Sequence, residues 1–243
     1  MREILEIRNL SLWIFFLPLI AINTCLFISI NYTFLEGTIF TVDMIGKSNF
    51  SIPYFDGSLS ISRASRTYPQ YLIFKPAMIT TAIILYFYWK KNNLLINNFN
   101  KTNNKNYKFQ TFGVLSAIFL ATHSILLGVE VDLKIFKLLR RVILLGFIIF
   151  EIIAQGLLVY HFYKLKEKIK NYSNSIILVF KILLVLLLTV IAIVSIPMLI
   201  TKGNVHFKHA LEWNYFVGVI LFYLLTRFFW KKPHKLLSFR PEI

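Results

Sequence analysis

A single cysteine, Cys25, is the chain's whole stock of thiol chemistry. One cysteine cannot close an internal disulfide, and no Cys/His spacing points to structural zinc. Ile22-Asn23-Thr24 stand before Cys25, where bacterial lipoprotein attachment would need small residues. The first apolar run also lacks an Ala-x-Ala-like cleavage site, so it reads as a retained span rather than a signal peptide. Charge is scarce: 16% of the 243 residues are Asp, Glu, Lys or Arg, against roughly 25% in a soluble domain. Acid is scarcest, 11 Asp and Glu beside 27 Lys and Arg. A Gly-x-Ser-x-Gly elbow, which would strain a serine for nucleophilic attack, is absent from the sequence.

What is abundant is apolar side chain, 57% of the residues. It is concentrated in runs of about 20, the length that crosses roughly 30 Å of hydrocarbon as helix. The runs place spans at about 11–35, 69–89, 111–129, 142–163, 174–200 and 211–230. Segments this long must satisfy their own backbone hydrogen bonds in lipid, hence helices. The short alternating strands of a β-barrel are missing. The expectation is an all-α, polytopic membrane bundle of about six spans in one domain, 1–243. A Lys/Asn-rich connection, Lys90 to Lys108, separates the second span from the third.

The net charge of +16 invites a nucleic-acid reading, but the Lys and Arg residues lie between apolar runs or at their ends. Headgroups and translocation polarity account for that placement. Sixteen of them fall on the side of the two termini and nine on the other, which makes both termini cytoplasmic by the positive-inside rule. Trp13, Trp89 and Trp230 then form an aromatic belt at the inner interface. Lys181, near the inner end of span five, is expected to snorkel toward that interface. The membrane would be the plasma membrane, or the inner membrane of a bacterium.

With this topology three polar groups share the outer side: Asp56 to Pro69, with Ser60, Ser62, Arg63 and Arg66; His206, His209, Glu212 and Trp213; and Glu130 with Asp132. His209 and Glu212, three apart, lie on one helical face, with Trp213 one turn after His209. Interface anchoring alone explains such residues at a helix start. A headgroup site is the sharper reading: Ser60 and Ser62 would donate to phosphate oxygens, Arg63 or Arg66 would pair with phosphate in bidentate fashion, and Lys75 would reach it from span two. Sharper still is a lipid hydrolase or acyltransferase, with His209 as base oriented by Glu212 and Ser60 or Ser62 as nucleophile. His206, His209, Glu212 and Asp56 could nominally bind a metal, but no recognised zinc spacing occurs, so neither metal nor cofactor is expected.

His209-Ala210-Leu211-Glu212-Trp213, followed by Phe216, Phe222-Tyr223-Leu224-Leu225-Thr226 and Phe228-Phe229, resembles the last span of the damage-regulated autophagy modulator (DRAM) family. That superfamily takes in FGF-receptor-activating and Sfk proteins, a GPI-anchor remodelling factor and the Cwh-type amino-terminal domain. Ser60-Ile61-Ser62 with Pro69 resembles its element ahead of span two. The sequence departs from the pattern at Ala64-Ser65, where a glycine is usual, and at Tyr68-Pro69-Gln70. The resemblance implies a six-span protein handling or sensing lipids, and implicates Ser60, Ser62, Pro69, His209, Glu212 and Trp213.

Inside the spans, Glu151 with Gln155 one turn on, and His123 on the neighbouring span, are the residues for an ion or proton relay. An interhelical hydrogen bond is the plainer role for Glu151. Three function classes follow: a lipid-binding or remodelling protein, a small transporter using Glu151, Gln155 and His123, and a scaffold whose basic cytoplasmic loops recruit proteins or anionic lipids. The oligomeric state is left open by the sequence.

Overall fold

The computed structural model describes residues 2–40, 50–102, 105–129, 133–200 and 203–231. Six long helices account for most of them: α1 (Arg2–Ile30), α4 (Gln70–Asn100), α5 (Lys108–Leu126), α6 (Lys134–Lys164), α8 (Ser175–Ile200) and α9 (Val205–Phe229). Three short helices lie between, α2 (Pro53–Asp56), α3 (Ile61–Ser65) and α7 (Lys166–Ile169). Among the described residues there is no strand, only an isolated bridge between Ser173 and Trp230. The protein is an all-α bundle. Five helices, α1, α4, α5, α6 and α8, are long and apolar enough to cross a membrane.

The long helices close a ring, each packed on the next in the order α1, α4, α5, α6, α8, α9 and back to α1. Small residues let neighbours approach. A Cβ on Gly113 of α5 would run into the Trp89 indole of α4, and one on Gly218 of α9 would meet Leu188 of α8. The outward faces carry exposed apolar residues, for instance Ile176, Leu183, Leu187 and Val190 along α8. That is the surface a bilayer, rather than water, would cover.

Both ends of the described chain lie at one end of the bundle. Arg8 donates to the Trp230 carbonyl, Arg227 to Asn9 at 3.1 Å, and Glu6 pairs with Lys91 at 2.5 Å. At the same end the Lys/Asn-rich connection is not the separate polar loop that its composition suggests. Helix α4 runs on to Asn100, past the apolar run, because its asparagines stitch the returning chain to the helix. Asn93 and Asn97 both donate to the Lys105 carbonyl at 3.1 and 2.9 Å, and Asn93 accepts from the Tyr107 amide at 3.0 Å. An amide side chain both donates and accepts, so it can replace the backbone partners that a turn removes.

The expected aromatic belt is corrected here. Trp13 is exposed, but Trp89 and Trp230 are fully buried. Trp89 packs edge-on against Tyr88 at 5.1 Å, and Trp230 against Phe162 at 5.4 Å. They fill the bundle where helices converge and do not face headgroups.

Candidate functional site

At the other end of the bundle, residues 50–69 form a cap seated on α1, α4 and the first turns of α9. Its conformation is set locally. Pro53 opens α2 and Gly57 ends it at φ +59°, a left-handed position at which glycine carries no Cβ penalty. Asp56 ties both ends of this turn: Oδ2 accepts from the Ile52 amide and Oδ1 from the Ser58 amide, each at 2.8 Å. Burial alone would raise the Asp56 carboxyl. Hydrogen bonds from Ser58 and Ile52, with His206 nearby, outweigh it and hold the carboxyl below its ordinary range. Ser60 then caps α3, its Oγ accepting from the Arg63 amide at 3.2 Å.

Helix α9 grips the cap through a row of its own side chains. His209 Nδ1 lies 3.0 Å from the Gly57 carbonyl; since a carbonyl only accepts, this nitrogen carries the proton. Trp213 Nε1 donates to the Leu59 carbonyl at 2.8 Å, and its ring lies 4.8 Å from that of Tyr54. Asn214 Nδ2 donates to the Tyr54 carbonyl at 2.7 Å. The Glu212 carboxyl faces the Ser62 backbone. Gly57 passes so close to α9 that a Cβ there would collide with the His206 carbonyl. On the far side of the cap, Gln70 bridges Thr67 at 3.2 Å and Ser29 at 3.3 Å.

The Ser-Ile-Ser element and the head of α9 therefore lie together, and their roles are specific. His209 is engaged with the Gly57 carbonyl and not with Glu212, which faces the Ser62 backbone. Ser60 is occupied as a helix cap, and Pro69 follows Tyr68 through a cis peptide as α4 begins. Arg63 is exposed and stands near His209. His206, also exposed, stands near Asp56. Arg66 and Lys75 are half-buried, with Lys75 over the Tyr71 ring at 5.3 Å. Glu130 and Asp132 lie outside the described residues. Among the described residues, no three His, Cys, Asp or Glu side chains are grouped to hold a metal ion.

A second polar cluster lies within the bundle. Glu151 is fully buried; its Oε2 lies 2.6 Å from Ser116 Oγ, and its Oε1 accepts from Gln155 Nε2 at 2.9 Å and from the Tyr223 hydroxyl. His123 is not one of these partners; it is buried, and its Nδ1 has no hydrogen-bond partner among the described residues. Lys181 departs from the sequence expectation most. Instead of snorkelling it is fully buried, donating to Thr226 Oγ1 at 2.7 Å and lying 3.9 Å from the Phe222 ring centre. Thr226 in turn meets the Tyr88 hydroxyl at 3.2 Å. Sequence reasoning missed Tyr88, Ser116, Tyr223 and Thr226. The available signal was helical spacing on α9, where Glu212, Tyr215, Tyr223 and Thr226 share one face.

No family model, curated protein or solved structure matches the chain.

Proposed function

We propose that this is a six-span membrane protein, with both termini cytoplasmic, that binds, senses or remodels membrane lipids through the polar rim around its cap. Helix α9 is taken as the sixth span because it fills the place in the ring between α8 and α1, so it crosses the same slab as its neighbours. The basic terminal end is assigned to the cytoplasm by the positive-inside rule.

The observation carrying the lipid reading is the seating of His206 and His209 against the Gly57 turn, with the exposed Arg63 on the adjoining α3. A guanidinium and the exposed His206 imidazole at the edge of a bilayer suit a phosphate-bearing headgroup. The clamp residues His209, Glu212 and Trp213 hold that edge in shape, in keeping with the resemblance to the DRAM superfamily. The reading favours binding over hydrolysis, because His209, the base that catalysis would use, is engaged with the Gly57 carbonyl rather than with Glu212.

The test removes the rim without touching the clamp. In Arg63→Ala/His206→Ala, purified from native membrane, copurifying anionic phospholipid measured by mass spectrometry is expected to fall severalfold while the thermal melt is kept. An unchanged lipid complement would remove the proposal's support.

A further inference from the structure

The interior cluster can be read by counting hydrogens. Ser116 Oγ has one proton and two partners, the Gly113 carbonyl at 2.8 Å and Glu151 Oε2 at 2.6 Å. The carbonyl can only accept. When the serine proton goes there, as a helical serine's usually goes to a preceding carbonyl, the short bond to Oε2 needs a proton on the carboxyl. The other oxygen, Oε1, is already supplied by Tyr223 and Gln155. The surroundings offer no counter-ion: among the described residues no Lys, Arg or His nitrogen lies within the 4.0 Å of an ion pair. Tyr88 of α4 and Tyr215 and Tyr223 of α9 are the other titratable groups near it. Lys181 of α8 ends on Thr226 instead, and His123 of α5 is not among the hydrogen-bond partners of Glu151. An isolated carboxylate so enclosed would be costly.

We infer that Glu151 is an interior proton-binding site, a carboxylic acid at rest whose proton sits on Oε2 and is donated to Ser116. The site has a built-in response to giving that proton up to water. Ser116 swings its own hydroxyl proton from the Gly113 carbonyl to Oε2, while Tyr223 and Gln155 continue to donate to Oε1. Proton occupancy is thereby tied to the contact between α5 and α6, and through Tyr223 to α9. Tyr223 lies on the α9 face that also carries Glu212.

Infrared spectroscopy of the protein in nanodiscs tests this. The wild type is expected to show a protonated-carboxyl band that shifts down in D2O and is absent from Glu151→Gln. The glutamine amide N–H replaces the acid O–H toward Ser116, so this variant is expected to melt within about 2 °C of wild type. Ser116→Ala is expected to keep the acid band but move it to the frequency of a less hydrogen-bonded carboxyl. The inference is overturned if Glu151→Gln removes only ionised-carboxylate intensity or unfolds, or if the band is unmoved in Ser116→Ala.

Discussion

The cap and the interior cluster are both held by polar side chains, but their acceptors differ in kind. In the cap, His209, Trp213 and Asn214 all end on backbone carbonyls. A carbonyl does not titrate, so these bonds fix a shape. In the interior, Gln155 and Tyr223 donate to the Glu151 carboxyl, which also meets the Ser116 hydroxyl, and Lys181 and Tyr88 end on the Thr226 hydroxyl. Those acceptors can exchange roles with their donors, so the same kind of bond can hold more than one state. The α9 residues whose types suggest chemistry thus act as fasteners at the cap, where Asp56 is a titrating acceptor, whereas the interior bonds can exchange protons between donor and acceptor.

The sharpest way to break this contrast is at Gly57. Gly57→Ala places a Cβ against the His206 backbone at a left-handed φ, and should cost about 3 kcal/mol. The checks are a melt in detergent and new protease cleavage within 50–69. Next is Thr226→Val, which leaves Lys181 and Tyr88 without their shared acceptor and should cost about 2 kcal/mol. Lys181→Met, which removes the buried amine as well, should lie within about 1 kcal/mol of wild type. Equal losses in the two variants would show that Lys181 is not held through Thr226. Trp213→Phe keeps most of the ring but deletes the N–H to Leu59, for an expected loss of about 1 kcal/mol.

The smallest effect is that of pH on the cap. The folded Asp56 carboxyl lies below its ordinary value of 3.8, so its stabilising bonds are fully present above that value. They are lost as pH falls through the lowered one. Hydrogen exchange in 52–58 should accelerate over that window relative to an adjacent reference helix, and Asp56→Asn should flatten the dependence.

Much of the helical frame is legible from the apolar runs, because a run long enough to cross a bilayer leaves the backbone few alternatives. The ends are less so. Ile4, Ile7 and Arg8 are buried ahead of the first run, and α4 continues through asparagines that read as a loop. In both cases the partners come from distant sequence, Trp230 for Arg8 and Lys105 for Asn97. The adjacency of the serine-rich segment and the α9 head was anticipated from topology, yet the pairing of His209 with Gly57 rather than Glu212 was not. It depends on a turn at Gly57 whose approach to α9 only coordinates reveal. Lys181 was misplaced because its depth suggested a route to water, whereas Phe162, Phe222 and Phe229 enclose its ammonium nitrogen.

The most direct measurement is photo-crosslinking from an anionic phospholipid that carries its reactive group on the headgroup, with the protein in nanodiscs and adducts mapped by peptide mass spectrometry. The lipid account predicts adducts concentrated at Arg63, His206 and the neighbouring cap residues, and reduced by Arg63→Ala. Adducts spread evenly around both ends of the bundle, or indifferent to Arg63, would contradict it.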